Sequence, residues 1–265
     1  MIVAVGLGAL LLAAQLPASP PLASPPTSVA VSQFAPPLGQ PMAYRVTTRR
    51  LGRDGTLISF SLVYALQWQR AGRGYQLVAT LRRIDSDARP EVARALTAVL
   101  QPLVGEPMTY FVAPDGSSID LVDAEGLWDR AIARTQALGA AAGQGEAKQM
   151  AALIAALPVE QRNELATADI RALVVPANDA IPAPGGTNVS IRYDGAMKMV
   201  AEAERDSLAT EGEGRPLEID KLWTIDTLTG LVVREQRQSW IIEPGGDART
   251  LVEERIRALE SAAKD

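Results

Sequence analysis

The sequence contains neither cysteine nor histidine. Without cysteine no disulfide framework can form, and there is no lipobox cysteine for conventional lipoprotein acylation. Without either residue, Ser-His-Asp triads, Cys-His nucleophiles and histidine zinc sites are excluded together. A glycine-rich phosphate-binding loop is missing too. Lysine is scarce, four residues against 22 arginines, and with abundant alanine this composition suits a GC-rich bacterial genome.

Charge is unevenly placed. Residues 1–39 carry none, and residues 40–90 hold nine arginines against Asp54, Asp85 and Asp87. That segment is therefore +6, leaving −11 for the rest of a chain whose total is −5. Two readings follow: basic strands paired across a sheet with acidic strands from the far end of the chain, which is preferred, or a surface for anionic lipid or glycan. The acidic total argues against nucleic acid, which needs a basic patch with stacking aromatics.

Residues 1–18 are an apolar run ending in small residues, with an uncharged core from Ile2 to Leu16. That is short of the ~20 residues of a membrane helix and reads as a secretory signal peptide, although no Lys or Arg precedes it. Residues 19–41 read as a linker, since the stretch from Pro17 to Pro41 holds eight prolines and no periodic apolar face. The expected mature chain is periplasmic or secreted and has no transmembrane segment. About 225 residues remain, enough for one sizeable core. They are expected to form a single domain over 42–260 with a helical insert at 123–175.

The organising stretch is Thr56 to Gln69, where Ile58, Phe60, Leu62, Tyr64, Leu66 and Trp68 occupy every second position. Period-two alternation marks a strand with one buried face. Fourteen residues would span roughly 45 Å at ~3.3 Å each, so the strand is expected to curve around a core. Its other face, with Ser59, Ser61, Ala65 and Gln67, is small and polar.

Strands are also expected over 43–50 and 75–84, joined to it by Asp54-Gly55 and by the turn at 71–74. Val92, Leu96, Val99, Leu100 and Leu103 switch to helical spacing after Pro90. A hairpin over 108–122 follows. Helices are expected from the Asp123 cap to Leu138, from Gln149 to Leu157, and from Val159 to Val174. Strands then resume at 188–193, 197–208, 221–226 and 231–243, and an edge strand is expected at 250–259. The expected fold class is α+β: a curved, mainly antiparallel sheet of meander and hairpins, with a helical insert packed against one face.

The acidic groupings have simpler explanations than catalysis. Asp85-Ser-Asp87 could present two carboxylates to a divalent ion, but Asp87 also suits a helix cap. Asp120, Asp123, Glu125 and Asp129 surround a helix start, where acids complement the dipole. Asp226 to Gly230 lacks an intact Asp-Thr-Gly triplet, and the Ser-x-x-Lys pattern at Ser261 has no companion motifs. No catalytic residue, metal site or cofactor is expected.

Two stretches, Gly105-Glu-Pro-Met-Thr-Tyr110 through Asp115-Gly116 and Leu222-Trp-Thr-Ile-Asp226 through Thr229-Gly230-Leu231-Val232, resemble those of secreted proteobacterial proteins of unknown function. They are turns and strands, so the resemblance transfers no functional residue. At the level of fold, the arrangement is similar to periplasmic lipoprotein carriers and related lipid-binding half-barrels. The expected function is a non-catalytic envelope protein holding an apolar or lipid-like ligand between sheet and helices. The groove would be lined by Phe60, Leu62, Tyr64, Leu66 and Trp68. Phe60, Leu62, Tyr64 and Leu66 should contact the helices of residues 90–157. The alternative is a structural or protein-partner-binding module of the envelope.

Overall fold

The alternating stretches fold as strands. The computed structural model describes residues 34–52, 54–90, 93, 97, 100–142, 156–206, 217–242 and 248–261. The first five strands are β1 (Pro41–Leu51), β2 (Leu57–Ala71), β3 (Gly74–Ser86), β4 (Pro107–Val112) and β5 (Ile119–Val122). Helices α1 (Ala124–Ala142) and α2 (Val159–Leu173) come next. They precede β6 (Val189–Asp194), β7 (Met197–Asp206), β8 (Leu217–Asp226), β9 (Leu231–Ile242) and β10 (Arg249–Ser261). Of the helix expected at 90–103, Pro90, Ala93, Thr97 and Leu100 are described and helical, and Gln101–Leu103 make a 3-10 turn. Helix α1 continues through Gly139 to Ala142, past its expected end at Leu138. Most of the helix expected at 149–157 lies outside the described residues, as do residues 1–33 with the expected signal peptide.

The strands form one antiparallel sheet in the order β5-β4-β3-β2-β1-β10-β9-β8-β7-β6. The protein is thus predominantly β with some helix, and its sheet is not closed. Two five-strand meanders, one from each end of the domain, meet at β1 and β10. The expectation that residues 250–259 form an edge strand is corrected: β10 is central, paired with β1 on one side and β9 on the other. Charge explains this seam. Arg45 pairs with Glu260 at 2.7 Å, Arg49 with Glu254 at 2.9 Å and Arg50 with Glu253 at 2.7 Å. The basic segment and the acidic C-terminal segment therefore meet across one strand pair.

Strong curvature follows from simple lengths. Helix α2 packs against both β5, at one edge, and β9, six strands away. In a flat sheet those strands would stand ~29 Å apart at ~4.8 Å per step, whereas a helix is only ~10–12 Å across. The sheet must curl around α2. Register slips between Val63 and Tyr64, Thr224 and Ile225, and Leu251 and Glu253 assist, because such irregularities increase local twist. The first also explains the pattern in β3. Leu77, Ala79 and Leu81 face the core with Leu66 and Tyr64, and after the slip Ile84 returns to the same face opposite Leu62.

One end of the curled sheet is plugged by a residue from the expected linker. Phe34 is 4% exposed and packs edge-on against Trp68 and Tyr75, with ring centroids 5.6 and 5.3 Å apart. The Ala35 amide donates to the Thr229 carbonyl at 3.0 Å, and Leu38 bridges to Trp68. Residues 34–41 thus belong to the fold rather than to a spacer: an aromatic ring offsets the extended, proline-rich backbone around it. Gly116, at φ +77, lies directly under this plug, where an added Cβ would fall 2.9 Å from the Phe34 ring.

On the outer face of the sheet, Glu254 is buried and accepts from Arg49, Gln236 and Gln238 at 2.9, 2.7 and 2.8 Å. Truncating it orphans three donors. Glu254→Ala is expected to lower unfolding free energy by about 3 kcal/mol. Arg50→Ala, which breaks an exposed pair, should cost less than about 1 kcal/mol. Urea titration of both variants checks the contrast.

Candidate functional site

Three tyrosines stand together on the helix-facing side of the sheet. Tyr44 on β1 and Tyr64 on β2 are register partners, and Tyr110 projects from β4. Two of them fasten α2. The Tyr44 hydroxyl donates to the Asp169 carbonyl at 3.0 Å and the Tyr110 hydroxyl to the Ala166 carbonyl at 2.8 Å. Tyr64 packs its ring against that of Tyr44, and its hydroxyl makes no hydrogen bond among the described residues.

A charged cluster holds the same helix at Asp169. Arg255 Nη2 and Arg257 Nε donate to Asp169 Oδ1 at 2.6 and 2.9 Å, and Arg257 Nη1 donates to Glu235 Oε1 at 2.8 Å. Asp169, Arg257 and Glu235 are largely buried. Burial pushes the Glu235 carboxyl up, with Arg257 and Arg255 pulling it back only in part. Burial also works against the Arg257 charge, but Asp169 and Glu235 outweigh it and raise that group. The asymmetry has a geometric cause: Arg257 has two carboxylates, whereas Glu235 Oε2 is buried without a donor among the described residues.

Between the sheet and the helices lies a cavity of about 270 Å³. Its sheet wall includes Leu62, Tyr64, Leu81 and Met108; its helical wall includes Leu127, Trp128, Ala166, Asp169 and Ile170, with Leu100, Leu103 and Leu157 at the side. The lining is apolar apart from Tyr64, Tyr110 and Asp169. Trp128 Nε1 is buried and lacks an acceptor among the described residues.

The five residues expected to line a groove separate here. Leu62 and Tyr64 are in the cavity wall, together with Leu100, Leu127 and Trp128. Leu66 and Trp68 are not; at 2% and 0% exposure they are solid core, because Phe34 fills the space beside Trp68. Phe60 is half-buried on β2 beyond the cavity. The acidic groupings also separate. Asp85 pairs with Arg45 and Arg83 at 3.5 and 3.0 Å, and Asp87 accepts from the Ser59 amide. Asp123 precedes α1 at φ 54, a left-handed conformation that Asp tolerates; its carbonyl accepts from Leu127 and its carboxylate reaches Arg130 at 3.2 Å. Asp226 accepts from the Leu228 amide and the Thr229 hydroxyl within its own turn.

Asp169, Glu235, Arg255 and Arg257 were not foreseen. The available signal was the alternation of β10, where Arg255, Arg257 and Leu259 share the helix-facing side with Thr48, Val46 and Tyr44. Charged residues at core-facing positions call for partners from another layer.

A second, more open depression of about 360 Å³ lies over β6–β9. Its charged side chains and glutamines are paired: Lys221 with Glu202 and Glu204, Asp220 with Arg249, and Gln236 and Gln238 with Glu254.

No protein-family model matches this chain, and no curated protein matches it. Among solved structures, the crystal structure of Rv2717c from M. tuberculosis is similar at a TM-score of 0.22 and 7% identity, over 86% of this chain and 93% of that one. A TM-score this low carries no argument, and the functional reading rests on the geometry of the site. Among the described residues no helix is long and apolar enough to cross a membrane.

Burial raises all three phenols above the ordinary 10.0, with the Asp169 charge adding to the effect. A raised folded pKa contributes stability that is complete below the unfolded value and lost as pH rises through the folded one. In a spectrophotometric alkaline titration, Tyr44, Tyr64 and Tyr110 should stay protonated past pH 10 and ionise only as the fold opens. Three phenols titrating normally with the fold intact would contradict their burial.

Proposed function

We propose that this protein is a non-catalytic binding module of the bacterial envelope that holds a small apolar or lipid-like ligand between its sheet and its helices. The observation that carries the reading is the apolar cavity under α2, with a few polar groups converging at one side. Binding sites commonly have that character. Size narrows the ligand. About 270 Å³ exceeds the ~150 Å³ that admits benzene and falls just short of the ~300–1,000 Å³ of drug-sized sites. One acyl tail or a fused aromatic ring fits; a whole diacyl lipid does not.

The absence of Cys and His supports a non-catalytic role, and the apolar leader followed by a proline-rich stretch supports export to the periplasm or beyond. A curled sheet with a helix packed against it suits such a site. A partner-binding module is the second reading, and one observation favours it: β6 is an outer strand of the unclosed sheet and leaves Tyr193 65% exposed. Such edges recruit a further strand.

The test uses N-phenyl-1-naphthylamine, a fluorophore that brightens in apolar sites. The protein is expected to bind it with micromolar affinity. Leu62→Trp, which fills the cavity from β2, should weaken binding at least tenfold, and Phe111→Ala, at an exposed position on β4, should leave it unchanged. No fluorescence gain with wild-type protein, or equal binding by Leu62→Trp, would remove the ligand reading and leave the partner reading.

A further inference from the structure

The cavity's polar side has a definite character. Among the lining residues Asp169 is the only charged one. Arg255 and Arg257 are absent from the wall and bind Asp169 Oδ1 from behind. Oδ2 receives no hydrogen bond among the described residues. Tyr64 lines the same space with an unused hydroxyl, whereas the Tyr110 hydroxyl is committed to the Ala166 carbonyl. A ligand therefore meets a carboxylate oxygen and a phenol, not the arginines.

Charge balance then separates head groups. Asp169 and Glu235 offset Arg255 and Arg257, so the cluster is neutral as a whole. A carboxylate ligand has no proton to donate to Asp169 Oδ2, an acceptor of like charge, and loses its own hydration. An ammonium can donate to Oδ2, but it shares that carboxylate with Arg255 and Arg257 and loses its hydration in an otherwise apolar space. A neutral group that both donates and accepts meets no such cost: its O–H can donate to Asp169 Oδ2, and its oxygen can accept from Tyr64.

We infer that the cavity selects amphiphiles with a neutral hydroxyl head, held by the Tyr64 hydroxyl and Asp169 Oδ2, over fatty acids and alkyl amines of equal chain length. This rests on the ligand reading above and specifies it. The experiment is displacement of N-phenyl-1-naphthylamine from the intact protein at neutral pH by 1-decanol, decylamine and decanoate. Decanol should compete at least about tenfold more tightly than decanoate, with decylamine weaker than decanol. Tyr64→Phe, whose folding is checked by circular dichroism, should weaken decanol about fivefold, the worth of one neutral hydrogen bond, and leave decanoate unchanged. Decanoate or decylamine equalling decanol would overturn the inference, as would a decanol preference untouched by Tyr64→Phe. If the fluorophore itself fails to bind, the underlying cavity reading falls instead, and this inference with it.

Discussion

Asp169 reaches from α2 to Arg255 and Arg257 on β10, and Arg257 passes the contact on to Glu235 on β9. Two negative and two positive groups balance in a largely buried place. Such a cluster adds little net stability, because desolvation consumes most of the Coulombic gain. It specifies position instead. If α2 shifted by one turn, Asp169 would leave Arg255 without a carboxylate and Arg257 with Glu235 alone, and removing a partner from a buried pair costs several kcal/mol. The hydroxyls of Tyr44 and Tyr110 refine the placement by binding two carbonyls of the same helix.

The cavity is a consequence of that placement. The sheet curls around α2, and the concave side fills unevenly. At one end Phe34, Trp68 and Tyr75 interlock and leave no space. At the other, leucines from β2, the Gln101–Leu103 turn and α1 line the cavity. A long strand thus serves two purposes along one face: Leu66 and Trp68 build the core, whereas Leu62 and Tyr64 border open space.

Much of the architecture was legible because its causes are local. Alternation from Ile58 to Trp68, the Asp-Gly turns at Gly55, Gly116 and Gly195, and the switch to helical spacing after Pro90 depend on neighbours in sequence. The excess of arginine in one segment and acid in another anticipated the β1–β10 seam, although not the central position of β10, which depends on pairing between the chain's two ends. Phe34 was hidden because composition averages over prolines and misses one ring. The division of β2 into core and cavity portions was equally hidden, since Leu62 and Leu66 are chemically identical and differ only in what packs above them. Asp169 carries no local signal, because its two arginine partners lie on β10, 86 and 88 residues further along the chain.

The central claim is that this charge cluster seats α2 and thereby shapes the cavity. Hydrogen exchange of Asp169→Asn against wild type, followed by mass spectrometry, tests it most directly, since local opening is read segment by segment. The substitution keeps the side-chain shape and removes the charge. Amides of residues 159–173 should exchange markedly faster, and those of β2 and β3 should be unchanged. Unaltered exchange in α2, or an equal rise throughout the sheet, would contradict the claim.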